Sequence, residues 1–144
     1  MIYTKMTNEA LKLAYTAHQG QVDKGGIPYI FHPYHLAEQM TDEISVCVAL
    51  LHDVVEDTSV DMETIAALFP KEVTEALRLL THTKDKDYFS YVEAIKDNPV
   101  ARAVKLADLD HNSDESRLAG CTAVSQEQLA TWREKYKKAK SILK

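Results

Sequence analysis

Leu51-His52-Asp53-Val54-Val55-Glu56-Asp57 closes an apolar run in which, from Ile44 to Leu51, only Ser45 is clearly polar. A helix apolar on all sides belongs in a protein interior, so the fold is built around this segment. The run then ends in one histidine and three acids. Burying an unpartnered carboxylate is costly, and such a group shifts its pKa or takes up a cation. On a helix running from Glu43 to about Val55, His52 and Glu56 stack on one face, as do Asp53 and Asp57. The Cα atoms of His52 and Asp53 are only about 3.8 Å apart, so both side chains can converge on one ion. The stretch reads as a metal site with acid–base carboxylates beside it.

Outward from that centre the chain reads as helix after helix. Thr4 or Thr7 caps a first helix that carries Leu11, Ala14, Tyr15 and His18 on one side and stops at Gly20. Gly25-Gly26 and Pro28 make Gln21 to Phe31 a loop. Pro33 suits the first turn of a second helix to about Met40, and Thr41 or Asp42 caps the third, apolar one. Asp61 caps a helix through Leu68. Pro70 opens another to Leu80, with Val73, Ala76, Leu77 and Leu80 as its core stripe. Thr81 to Asp87 is a polar loop. Helices follow over Tyr88 to Lys96 and Val100 to Asn112, the latter after Asn98-Pro99. Ser113 to Val124 reads as irregular, and Ser125 caps a last amphipathic helix to near Leu143, with Leu129, Trp132 and Tyr136 inward. No segment alternates as a strand does. The expected architecture is an all-α bundle of about eight helices in a single domain spanning residues 1–144.

With 45% hydrophobic residues, a chain of this length can bury about two-thirds of its unfolded surface without disulfides or other staples. The formal net charge of −5 argues against a protein that coats nucleic acid or an anionic membrane. It does not exclude an anionic small molecule, because a bound divalent cation reverses the local potential. Cys47 and Cys121 match no ligand spacing and fit a reducing compartment, with Cys47 a small buried hydrophobe. No signal-peptide core is evident, and no apolar run approaches the ~18 residues of a membrane span. A cytoplasmic location is the expectation.

Two places can complete the central cluster: His32, beside Pro33, and Asp108, on an otherwise apolar helix face. With His52 and Asp53 they offer two imidazoles and two carboxylates, which balance the charge of a divalent ion. Mixed nitrogen and oxygen donors suit Mn²⁺, Fe²⁺ or Mg²⁺ better than a closed zinc site. Plainer roles exist for each. His32 suits a helix-capping histidine, and Asp108 can be an ion-pair partner of Lys105 one turn back. Glu56 and Asp57 can simply end a helix, although acids there oppose the macrodipole.

His32, the His52-Asp53 doublet and Asp108 resemble the H…HD…D pattern of HD-domain metal-dependent phosphohydrolases, an all-α family. The strings His18-Gln19-Gly20-Gln21, Gly26-Ile27-Pro28-Tyr29-Ile30-Phe31-His32-Pro33, Ala49 to Thr58, and Val104-Lys105-Leu106-Ala107-Asp108 with His111-Asn112 narrow this to the RelA/SpoT-type hydrolase domain. The resemblance spans roughly residues 7–118. It implies removal of the 3′-pyrophosphate of (p)ppGpp, usually with Mn²⁺, by a stand-alone small alarmone hydrolase. It further implies His32, His52, Asp53 and Asp108 as metal ligands, and Glu56 and Asp57 as the pair that positions or activates water. Lys24 and Asn112 then stand as contacts to a small-molecule nucleotide, where the plainer readings are a solvated loop lysine and a helix C-cap. His18 and His111 are expected behind the ligands, with His35 and His82 structural or exposed. The late charges Arg133, Glu134, Lys135, Lys137, Lys138 and Lys140 read as the solvated face of the last helix.

The chain leaves the family pattern in two places. Asp23 stands where an arginine often stacks on the base, and an acid cannot make that cation–π contact. Leu109-Asp110-His111-Asn112-Ser113-Asp114-Glu115 follows Asp108 where the family usually reads Arg-Leu-His-Asn-Met-Arg-Thr. Both departures fall where base and ribose would be read. Hydrolysis of another nucleotide or phosphorylated metabolite, or nucleotide binding without catalysis, are therefore the alternatives.

Overall fold

In the computed structural model, which describes residues 1–121 and 123–144, the central apolar helix has nowhere to face but protein. This is α3 (Glu43–Leu51), and every residue from Ser45 to Leu51 is buried. It packs against α1 (Lys5–Ala17), α2 (Phe31–Glu38), α6 (Lys71–Leu80) and α8 (Pro99–Asn112). Between these lie α4 (Val54–Asp57), α5 (Met62–Leu68) and α7 (Tyr88–Ile95); α9 (Gln126–Leu143) closes the bundle against α7 and α8. A 3-10 helix, Glu115–Leu118, interrupts the segment expected to be irregular. The described residues form no strand, only an isolated bridge between Val22 and Pro28.

Local chemistry sets most boundaries. Thr4, Asp42, Asp61, Asp87, Asn98 and Ser125 each accept a backbone N–H of the first turn they precede, satisfying donors a helix start leaves free. Thr7 is not the first cap; it reaches back to the Thr4 N–H at 2.7 Å in a capping box. Gly20, at φ +86, ends the turn after α1 in the left-handed region.

Two expectations are corrected. The third helix does not run unbroken to Val55. It stops at Leu51, and Asp53 sits at φ −107, ψ 0, between the helical and extended wells. The cause is local: the His52 ring, through Nδ1, bonds the Ala49 carbonyl at 2.7 Å, the acceptor that the Asp53 N–H would use in a continuing helix. The break divides one expected helix into α3 and α4, so nine α-helices are described instead of about eight. Tyr15 points outward at 59% exposure, while Thr7, Ala10 and Ala14 make the inner face of α1.

Candidate metal centre

Two helices and the α3–α4 break deliver the polar groups to one point. His32 comes from the first turn of α2, His52 and Asp53 from the break, and Asp108 from the third turn of α8. His32 Nε2 lies 2.9 Å from Asp108 Oδ1, and His52 Nε2 lies 3.0 Å from Asp53 Oδ2 and 3.6 Å from Asp108 Oδ1. One donor atom from each of His32, His52 and Asp53 falls within a sphere of 4.8 Å mutual separation. Asp53, Glu56 and Asp57 form a second such group sharing Asp53.

Each of these side chains is held from behind. With its Nδ1 committed to the Ala49 carbonyl, His52 turns Nε2 inward, buried and near the two carboxylates but without hydrogen-bond direction to either. His32 Nδ1 meets His111 Nδ1 at 2.8 Å. Burial, then the nearby Arg117, push His111 down to about 4, so it is neutral at pH 7 and can accept the His32 proton. That tautomer would offer the His32 Nε2 lone pair to a cation; in the structure Nε2 lies at hydrogen-bonding distance, 2.9 Å, from Asp108 Oδ1. The Tyr29 hydroxyl donates to Asp53 Oδ2. Asp108 receives Asn112 Nδ2 on Oδ1 at 3.1 Å and Lys105 Nζ on Oδ2 at 3.0 Å. The ion pair with Lys105, offered by the sequence as a plainer role for Asp108, is thus present, and it coexists with the histidine contacts.

Electrostatics follow from that packing. Burial alone would raise Asp53, yet the neighbouring His52 charge outweighs it and holds the carboxyl at about 2. Asp108 is likewise held well below the usual carboxylate range, because Lys105 and the two histidines outweigh burial. Asp57 moves the other way, to about 6, through burial first and then repulsion from Asp53 and Glu56. Glu56 is tethered: the His82 backbone N–H donates to Oε1 at 2.7 Å.

A buried imidazole nitrogen without a partner, beside a second imidazole and two carboxylates, is a donor set that fits a divalent cation. The histidines are fixed on their far sides as ligand histidines characteristically are.

Two cavities border the cluster. One of about 310 Å³ is bounded by Lys24, Tyr29, His32, Asn112, Arg117 and Trp132. Lys24 Nζ lies 3.6 Å from the Trp132 ring centroid, a cation–π contact. Asn112 faces this cavity while bonding Asp108, so both expected substrate residues reach one space. Asp23 has a different occupation from the arginine it replaces. Its Oδ1 accepts the Gly25 and Ile27 N–H groups, and its Oδ2 pairs with Arg117 at 3.1 Å. The second cavity, about 260 Å³, is bounded by His52, Glu56, His82, Tyr88, Lys105 and Lys135.

Sequence reasoning missed several of these residues. Tyr29 was visible inside a quoted motif without a role. Arg117 lies in the segment expected to be irregular, and Trp132, expected inward on the last helix, had no role at the cluster. Lys135 is half-buried and borders the second cavity, so it does not belong to the solvated face of the last helix. Lys140 also has a partner, pairing with Asp110 at 2.9 Å. His18 bonds Gln21 at 2.8 Å and packs on Tyr29, behind the cluster as expected.

Comparison with known proteins agrees with this geometry. A family model described as "HD domain" matches residues 10–103. The GTP pyrophosphokinase rsh of Brucella melitensis is 33% identical over 122 residues, which cover 74% of this chain and 16% of that protein. The bifunctional (p)ppGpp synthase/hydrolase SpoT of Escherichia coli is 33% identical over 123 residues, 75% of this chain and 18% of that protein. The chain therefore spans less than a fifth of the length of these curated relatives. A solved structure described as a metazoan ortholog of SpoT that hydrolyzes ppGpp superposes with a TM-score of 0.84 at 27% identity, covering 100% of this chain and 88% of that one.

Proposed function

The chain belongs to the HD-domain family, and from that premise we propose that it is a metal-dependent phosphohydrolase that removes the 3′-pyrophosphate of (p)ppGpp. The observation that carries this reading is the orphaned, buried His52 Nε2 facing His32, Asp53 and Asp108. Those four residues would hold a divalent cation; mixed nitrogen and oxygen donors suit Mn²⁺, Fe²⁺ or Mg²⁺, and the family resemblance favours Mn²⁺. The cation supplies a Lewis acid that lowers the pKa of water and polarises a phosphoryl oxygen. The remaining work belongs to the chain. Asp57, titrating at about 6, can accept a proton near neutral pH and release it again. Glu56, anchored through Oε1 to the His82 N–H, orients the attacking water with its other oxygen. Lys24, Asn112 and the face of Trp132 receive the nucleoside part in the 310 Å³ cavity.

In this reading residues 1–144 act as a single catalytic domain in the cytoplasm. Cys47 and Cys121 are free thiols, and no described helix is long and apolar enough to cross a membrane. A second reading has specific support. Asp23 is engaged with Arg117, so the wall where the family places a base-stacking arginine is an ion pair instead, favouring a different nucleotide or phosphorylated metabolite. Purified, Mn²⁺-loaded protein assayed against a nucleotide panel separates the two. Turnover of ppGpp above the rest supports the first; robust turnover of another compound with none of ppGpp rejects it.

A further inference from the structure

The 260 Å³ cavity borders the cluster at His52, Asp53 and Asp108, where the cavity of Lys24 and Trp132 borders it at His32. His52, Asp53 and Asp108 form its boundary with the metal centre, while Lys105 and Lys135 bring ammonium groups from α8 and α9. Lys105 is committed: its Nζ pairs with Asp108 Oδ2 at 3.0 Å, and its side chain is only 12% exposed. Lys135 is different. Among the described residues no carboxylate lies within 4.0 Å of its Nζ, which instead stands 4.2 Å from the Tyr88 ring centroid. The one acid lining the cavity outside the cluster is Glu56, and it is tethered to the His82 N–H. A half-buried cation resting on an aromatic face, with a second cation across the same cavity, offers a charge-assisted hydrogen bond to an incoming anion.

We propose that this cavity receives the distal phosphate of a diphosphate ester, with Lys135 as the residue that recognises it. The inference rests on the hydrolase reading and adds which end of the substrate enters which of the two cavities. The nucleoside occupies the cavity of Lys24 and Trp132, the phosphorus under attack lies at the cluster, and the second phosphate extends to Lys135. Water oxygen bonds to the phosphorus attached to the ester oxygen and that phosphorus–oxygen bond breaks. The departing hydroxyl gains a proton, and the two phosphates leave together as pyrophosphate. Lys135 touches neither the forming nor the breaking bond, so it sets selectivity for a diphosphate over a monophosphate.

The test compares a nucleoside 3′-diphosphate with the matching 3′-monophosphate, using Mn²⁺-loaded wild type, Lys135→Ala and Lys135→Arg. Lys135→Ala should raise KM for the diphosphate about tenfold or more, the loss of one charge-assisted hydrogen bond. Its KM for the monophosphate should stay within about twofold, with Lys135→Arg recovering most of the difference. Binding is read in parallel from the fluorescence of Trp132, the only tryptophan in the chain, in Glu56→Gln protein. There the preference for the diphosphate should vanish when Lys135→Ala is added. Equal losses for both ligands, or none for either, overturn the inference. Failure of the wild type to turn over either ester counts against the hydrolase reading, and the fluorescence comparison then still decides the role of Lys135.

Discussion

Asp57 and Glu56 are neighbours in sequence with opposite circumstances, and their substitution should separate metal binding from turnover. Glu56→Gln keeps the cluster donors and the size of the side chain. It should therefore retain Mn²⁺ at wild-type stoichiometry and lose about 10²- to 10⁴-fold in kcat, the usual worth of a positioned acid–base group. Metal content and single-turnover rates check this together. Asp57 makes a stability prediction. Its folded pKa of about 6 lies above the value near 3.8 of an exposed aspartate. Its contribution to stability is thus fully present below about pH 3.8 and lost as the pH rises through 6. Asp57→Asn removes that loss. In chelator-treated protein the variant should gain on the wild type between pH 4 and 7.5 by about 1 kcal/mol, a figure reduced because the carboxyl is exposed to solvent. Urea titrations at the two pH values measure it, and an unchanged difference would contradict the raised pKa.

At the scale of elements, the loop from Gln21 to Ile30 and the 3-10 helix Glu115–Leu118 act as one wall of the 310 Å³ cavity. A Cβ at Gly25 would lie 2.1 Å from the Arg117 carbonyl oxygen, a backbone atom that cannot rotate away. Asp23 and Arg117 clamp the same seam through their side chains. Gly25→Ala should force the two segments apart, costing about 1–3 kcal/mol as overpacking does. Weakened nucleotide quenching of Trp132 fluorescence should accompany the drop in melting temperature. Nothing in the sequence joins Gly25 to Arg117, because the contact is long-range and neither segment is periodic. Helix starts were legible for the opposite reason: a Thr, Asp, Asn or Ser cap acts within four residues. The α3–α4 break was hidden because the hydrophobic pattern continues through it. Only the ring-to-carbonyl bond from His52 to Ala49 ends the helix, and histidine carries no such signal by type.

For the molecule as a whole, one buried helix explains both the fold and the site. Leu50 and Leu51 are fully buried at the heart of the bundle, so Leu50→Ala should cost about 2–5 kcal/mol while leaving the ligands in place. The all-α class could be read from apolar patterning, and the His52-Asp53 doublet and Asp108 from polar groups set among apolar ones; His32 joined them as a candidate that the family resemblance made specific. The cavity walls could not, since Arg117, Trp132 and Lys135 meet the cluster only through the packing of α9 and the 3-10 helix. Metal and fold are also linked. In the proposed reading Mn²⁺ at about 100 times its dissociation constant should add about 2.7 kcal/mol to folding, read as a rise in melting temperature that a chelator reverses. The most direct test of the central claim is the metal content of wild type and Asp53→Asn after Mn²⁺ loading and desalting, with circular dichroism confirming that both are folded. One Mn²⁺ per wild-type chain and none in folded Asp53→Asn is the predicted result; stoichiometric metal in Asp53→Asn, or none in the wild type, would contradict it.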